Sequence, residues 1–179
     1  MSRTFGMAPI IRIPLITLYG ALVLPLPLMA PPGLRAIMVA AAALGLVLVL
    51  AITSERVLVD DAGITVGHPR WCAWLLRRGW RLDWSAIEAL TPVRTSQGGS
   101  VFYVRRCGGE AGQGFAPQAF LLPQRLAEFE VFLTEFGLRS GLDTRAIGRV
   151  TPPWTYRLLA VLSGALLASE LGAWALVRP

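Results

Sequence analysis

The sequence predicts a membrane protein that joins transmembrane helices to a small α+β domain. Hydrophobic residues make up 54% of its 179 residues and charged residues only 16%, with a mean hydropathy of +0.56. Soluble domains carry about 25% charged residues, so a purely soluble protein is disfavoured. We expect a transmembrane helical hairpin in residues 1–53, a cytosolic domain in residues 54–145, and a linker with a third transmembrane helix in residues 146–179.

The first apolar run lies between Ile13 and Leu34, where no charged residue occurs. Its apolar part of 18 residues would form a helix about 27 Å long, enough to cross a hydrocarbon core of about 30 Å. Pro25 and Pro27 each lack a backbone donor, which predicts a kink or an early end near the far end of this helix. A secretory signal is the alternative, because two arginines precede the run, but the run has no A-x-A-like cleavage site.

A second run of 18 uncharged residues, Ala36–Thr53, follows the turn sequence Pro31-Pro32-Gly33. Two spans joined by so short a link predict a helical hairpin. The small residues Ala40–Ala43 and Gly45 would let another helix approach closely. Alternatively, they reflect an alanine-rich composition without a packing role.

The third run, Leu158–Val177, has 20 residues and one charged residue, Glu170. This carboxylate lies about 18 Å along the helix from Leu158, where exposure to lipid would be unfavourable. We expect Glu170 to face protein, to be protonated, or to lie near the far interface. A packing role and a specific charged partner both stay open.

The placement of arginine predicts the orientation of the chain. All 17 basic residues are arginines, and if the N-terminus and central domain share one side, only Arg35 and Arg178 lie on the other. The positive-inside rule then places the N-terminus and the central domain in the cytosol and the C-terminus across the membrane. Cys72 and Cys107 have no CxxC spacing, and free thiols fit a cytosolic domain.

The central region reads as short strands followed by one helix. The predicted strands are Arg56–Val59, Ile64–Val66, Trp80–Trp84, Ile87–Val93, Val101–Val104 and Ala119–Leu122. Apolar residues then recur every three to four positions, which predicts an amphipathic helix over Gln124–Phe136 with Gly137 as its C-cap. This order predicts an antiparallel β domain closed by the helix.

Two segments of this region carry a resemblance to known proteins. They are SERVLVDDAGITV and RRGWRLDWSAIEAL, the second with a Trp-x-x-Ile motif at Trp84 and Ile87. Between paired apolar helices and an amphipathic helix, they resemble the bacterial pleckstrin-homology-like (PH-like) domains attached to membrane helices. The hairpin followed by Arg70-Trp71, Arg77-Arg78 and Val101–Arg106 is also similar to the photosystem I assembly factor family of cyanobacteria and chloroplasts. The resemblance implies a PH-like fold and a role in building a photosynthetic complex.

The sequence contains no residue pattern that points to catalysis, a cofactor or a metal. Asp60 and Asp61 are adjacent in a predicted turn, which points their side chains apart, and His68 precedes a proline in a predicted loop. The net charge of +6 divides into +3 for residues 1–53, +3 for residues 54–157 and 0 for the tail, so no basic block suggests nucleic-acid binding. We therefore expect a protein that is not an enzyme and has no cofactor or nucleic-acid partner.

Four tryptophans and four arginines fall within the 16 residues from Pro69 to Trp84. Both residue types favour bilayer interfaces and protein interfaces. Trp80 and Trp84 fit the strand alternation and are predicted to lie in the core. The segment Trp71–Leu76 is predicted to be a loop that rests on lipid, on a partner protein or on this protein's own helices. The predicted partner or lipid interface comprises Arg70, Trp71, Trp74, Leu75, Leu76, Arg77, Arg78, Trp154 and Glu170.

These observations predict a non-enzymatic integral membrane scaffold or assembly factor for a larger membrane protein complex. The resemblance implies photosystem subunits as partners, in a thylakoid or plasma membrane. The alternative is a lipid-responsive regulatory protein, which would use the same arginine and tryptophan surface on the head groups of the lipid bilayer. A permanent structural subunit of a membrane complex is a third possibility.

Overall fold

The computed structural model describes residues 2–76, 79–94, 100–106, 119–148 and 153–177. The chain forms two compact units. Met1–Ala8 and Glu55–Thr151 form one, here called the sheet unit, and Pro9–Ser54 and Pro152–Pro179 form the other, here called the helical unit.

The elements follow one another along the chain without long gaps in the described ranges. In order, they are β1 (Arg3–Gly6), α1 (Pro9–Val23), α2 (Pro25–Met29), α3 (Pro32–Ile52), β2 (Arg56–Val59), β3 (Gly63–Gly67), α4 (Arg70–Leu76), β4 (Trp80–Asp83), β5 (Ile87–Arg94), β6 (Ser100–Arg106), β7 (Ala119–Leu121), α5 (Phe129–Ser140) and α6 (Pro153–Val177).

The strands of the sheet unit form two antiparallel sheets. One sheet has the order β1-β2-β3-β4 and the other has the order β5-β6-β7. Gly6 pairs with Arg56, and Arg56 pairs with Gly67, so these three residues lie in one row at the same end of the first sheet. The positions of β2 to β7 confirm the six predicted strands to within about two residues at each end.

Both sheets and α5 contribute to one hydrophobic core. Val57 and Ile64 from the first sheet, Val104 from the second, and Phe132 and Phe136 from α5 are all fully buried. In β2, β3, β4 and β6, alternate residues face this core, as the two-residue period of a strand requires.

Trp80 and Trp84, predicted to lie in the core, are partly buried and pack against its rim. The ring of Trp80 lies 5.3 Å from that of Phe120, and the ring of Trp84 meets that of Phe136 edge-on at 5.7 Å. The indole N–H of Trp84 also donates a hydrogen bond to the carbonyl of Asp60 at 2.9 Å. The polar atom of this half-buried ring is therefore satisfied.

β1 is a strand that the sequence analysis missed. It pairs antiparallel with β2, and Phe5 is only 3% exposed, with its ring 5.5 Å from that of Phe132. The backbone N–H of Ala127 donates to the carbonyl of Gly6 at 2.8 Å. The first eight residues thus belong to the sheet unit, whereas the sequence grouped them with the hairpin.

The predicted limits of the amphipathic helix are wrong. The helix was predicted over Gln124–Phe136, but α5 spans Phe129–Ser140. Glu128 has a left-handed conformation (φ 50°), which stops the helix from beginning earlier. At the other end the helix continues through Gly137 and ends at Gly141, whose φ of 71° suits a glycine C-cap.

The helical unit contains three stretches that are long and apolar enough to cross a bilayer, counted over the described ranges. They are Pro9–Met29, Pro32–Ile52 and Trp154–Leu176, with mean hydropathies of 1.7, 2.5 and 1.6. The first is interrupted at Leu24, between α1 and α2. The interruption lies where the prolines predict a kink or an early end, because Pro25 has no N–H to continue the helical hydrogen bonds.

α1 and α3 pack against each other through a tyrosine and a glycine. The hydroxyl of Tyr19 donates to the carbonyl of Ala42 at 2.6 Å. A Cβ atom at Gly45 would collide with the same hydroxyl oxygen. Gly45 therefore provides the close approach that the sequence suggested, and its partner helix is α1 of the same chain. α6 packs against α1 as well.

Candidate interaction surfaces

The predicted tryptophan loop is a helix, α4, so that prediction is wrong in its secondary structure. The carbonyl of Pro69 accepts hydrogen bonds from the N–H groups of Cys72 at 3.0 Å and Ala73 at 2.9 Å, which begin the first turn. No residue of Arg70–Leu76 is β-branched, and arginine, alanine and leucine are good helix formers. The apolar run showed no strand alternation, but it was too short for its helical period to be recognised.

α4 buries one side chain and exposes three large apolar ones. Cys72 is 1% exposed, whereas Trp71, Trp74 and Leu75 are 50%, 70% and 45% exposed. The indole N–H of Trp74 donates to the carbonyl of Trp71 at 2.9 Å. Much of the surface that α4 offers to an external partner is therefore apolar.

The other predicted interface residues fall into three groups. Arg70 is exposed at the start of α4, and Leu76 is half-buried at its end. Arg77 and Arg78 lie outside the described residues. Trp154 belongs to the helical unit, where it is 63% exposed in the first turn of α6.

Glu170 is half-exposed on α6. It lies seven residues beyond Ser163, which is 1% exposed, and residues seven apart share one face of a helix. Ser163 donates its hydroxyl hydrogen to the carbonyl of Leu159 at 2.7 Å. In the part of the chain that the structure describes, no hydrogen bond or ion pair reaches the Glu170 carboxylate.

The paired charged groups of the sheet unit support its fold. The Asp60 carboxylate accepts hydrogen bonds from the N–H groups of Ala62 at 2.9 Å and Gly63 at 2.8 Å, which confirms its predicted turn role. Arg3 of β1 donates to Glu135 at 3.0 Å and to Glu128 at 2.9 Å. The hydrogen bond with Glu135 raises the pKa of Arg3 above its ordinary value, so the guanidinium stays charged.

No set of described residues has the composition of a metal site. A metal ion needs a cluster of several His, Cys, Asp or Glu side chains, and no group of three or more such residues occurs within the described ranges. The candidate interface residues are instead the exposed apolar face of α4, Trp154 and Glu170. Such features suit binding to lipid or to another protein.

Comparison with known proteins places the chain in a family. It is 33% identical over 172 residues to the uncharacterized protein slr0269 of Synechocystis sp. (strain ATCC 27184 / PCC 6803 / Kazusa). The alignment covers 93% of this chain and 83% of that protein. No protein-family model and no solved structure matches the chain. At this identity and coverage, the chain belongs to the same protein family as the Synechocystis protein.

Proposed function

We propose that this protein is a non-enzymatic integral membrane scaffold, or assembly factor, for a larger membrane protein complex. The observation that carries the proposal is Glu170, a carboxylate within an apolar helix that has no polar partner in the described part of its own chain. An ionisable residue inside a bilayer is expensive and usually has a partner. A second membrane protein can supply that partner.

If the third apolar stretch spans a membrane, Glu170 would lie within it. Glu170 lies 16 residues after Trp154 and 6 residues before Leu176, about 24 Å and about 9 Å along the helix axis. Since the hydrocarbon core is about 30 Å thick, the carboxylate falls on the far side of the midplane. Insertion scales assign an acidic residue at the helix centre a cost of about 2.5–3.5 kcal/mol. The cost is smaller towards the end of the span, where Glu170 lies, and a hydrogen bond from a partner helix would offset part of it.

The pairing of β1 with β2 supports the proposed orientation. Residues 3–6 and residues 56–59 are adjacent strands of one sheet, so they lie on the same side of any membrane that the chain crosses between them. Two crossings, by α1 with α2 and by α3, satisfy this condition. The arginine distribution then favours the cytosol for this side, with the C-terminus opposite.

Two further parts of the proposal rest on resemblance. Four plus three antiparallel strands followed by a helix are compatible with a PH-like domain. A relative from a cyanobacterium is compatible with a photosynthetic membrane. Photosystem subunits as partners rest on the sequence resemblance alone. A lipid-responsive regulator is the second candidate, favoured by the exposed tryptophans of α4. High salt would weaken head-group binding but not a packed apolar protein interface.

Co-purification of Glu170 variants from gently solubilised membranes tests the proposal. Glu170→Gln keeps a hydrogen-bonding group and should retain the partner, whereas Glu170→Leu should insert normally and lose most of it. Ser169→Leu, at an exposed neighbouring position, is the matched control for an added leucine and should behave like the parent. Equal co-purification of all four proteins would show that Glu170 binds no partner.

A further inference from the structure

We infer that α4 is an interfacial membrane anchor, with the side chains of Trp71, Trp74 and Leu75 immersed at the boundary between the lipid head groups and the acyl chains. The inference requires that α1 and α3 span the bilayer, but it does not require the protein partner proposed for Glu170. Lipid is the proposed binding partner of this surface, and binding of a protein instead is one outcome of the test.

The register of the first sheet and the chain connections show which end of that sheet the two membrane helices join. Gly6, Arg56 and Gly67 lie in one row at one end of that sheet. The chain runs from Gly6 into α1, and from α3 into Arg56, over only a few residues. Both membrane helices therefore connect to this end of the sheet.

The start of α4 belongs to the same end. Gly67 is the last residue of β3, and α4 begins three residues later at Arg70, a distance of at most about 11 Å. Adjacent strands are about 4.8 Å apart, so Gly67 lies about 10 Å from Gly6, the last residue of β1. Helix α4 is thus tethered close to the points where the chain enters and leaves the membrane.

The side chains of α4 have the chemistry of an interfacial segment. Tryptophan is enriched at bilayer interfaces because its ring is apolar and its N–H is polar. In α4 the two exposed tryptophans and Leu75 project from the helix, and Cys72 is buried. Arg70 is exposed at the start of the same helix, and a guanidinium group there can bind lipid phosphates.

The experiment uses the full-length protein in lipid nanodiscs without any other protein. In a background in which both cysteines are replaced by alanine, Trp74→Cys carries an environment-sensitive fluorophore. Leu138→Cys is the matched control, because Leu138 is an apolar residue of α5 that is 81% exposed. Leu75→Cys replaces Trp74→Cys if the latter lowers the melting temperature. Each labelled protein is tested with aqueous iodide and with a spin label near the head-group end of the lipid chains.

The inference predicts that the fluorophore at position 74 is at least threefold less sensitive to iodide than the fluorophore at position 138. It also predicts quenching at position 74, but not at position 138, by the lipid spin label. Equal iodide quenching at both positions in nanodiscs would overturn it. The same labelled protein is also measured in a complex co-purified from native membranes. Shielding of position 74 in that complex but not in the nanodiscs would overturn the inference too, in favour of a protein partner. Neither result would affect the Glu170 co-purification test.

Discussion

Because Phe5 is buried, a single substitution can test whether the N-terminal strand β1 contributes to the core. Phe5 is 3% exposed and packs on Phe132 at 5.5 Å, so Phe5→Ala leaves a cavity in the core. Such a change costs about 3–5 kcal/mol, out of a total stability of about 5–15 kcal/mol for a typical domain. If residues 1–8 were only a leader to the first membrane helix, the same change would have almost no effect.

Thermal unfolding of the detergent-solubilised full-length protein measures this effect. Trp80 and Trp84 pack at the rim of the same core, so tryptophan fluorescence reports its melting. For a domain of this size, about 1 kcal/mol shifts the melting temperature by about 4 °C, so Phe5→Ala should lower it by about 12 °C or more. Thr4→Ala, at an exposed position of the same strand, is the control and should shift it by less than about 2 °C. Equal melting temperatures for the two variants would refute the assignment of β1 to the core.

Three further expectations follow from the packing, the topology and the exposure of the chain. Gly45→Leu should lower the resistance of the helical unit to detergent denaturation, because the new side chain would collide with Tyr19. Gly33→Leu is the control and should not lower it, because no atom lies within 4 Å of a Cβ built at Gly33. In right-side-out vesicles, protease should leave residues 54–145 and an N-terminal tag intact and should digest a C-terminal tag. Digestion of residues 54–145 would contradict the proposed orientation. Changing the three exposed apolar side chains of α4 to serine should leave the melting temperature of the full-length protein within about 2 °C of the parent value, since such exposed positions contribute little to the core.

Sequence patterns predicted the elements whose signals are local. Strand alternation, short apolar runs and turn residues located β2 to β7, and uninterrupted hydropathy located the helical stretches. The turn at Asp60 was predictable because an aspartate followed closely by glycine suits a tight turn, and the structure shows its carboxylate accepting two backbone N–H groups.

The remaining elements depend on contacts between distant parts of the chain. β1 has four residues, and its partner β2 begins 50 residues after β1 ends, so no local pattern marks it. Leu126, which precedes α5, pairs with Met7 across an isolated bridge, a contact between distant parts of the chain. Gly137 suggested a C-cap, but the chain places a later glycine, Gly141, in the left-handed conformation.

The candidate surfaces were predictable in composition but not in shape. Four tryptophans in 16 residues indicated a segment of unusual composition. Trp71 and Trp74 lie outside the strand alternation and are exposed, whereas Trp80 and Trp84 fit it and pack against the core. The helical form of α4 was not evident, because seven residues hold only two turns and the sole buried residue is Cys72. The role of these residues stays a prediction.

Site-specific photocrosslinking in intact membranes tests the proposed partner contact most directly. A crosslinking amino acid at position 173 lies at an exposed site three residues from Glu170, and position 44 on α3 is a control that is 71% exposed. The proposal predicts that position 173 crosslinks to another membrane protein, that Glu170→Leu removes this product, and that position 44 crosslinks only to lipid. Lipid products alone at position 173, in membranes that contain the natural partners, would contradict a scaffold that binds through Glu170.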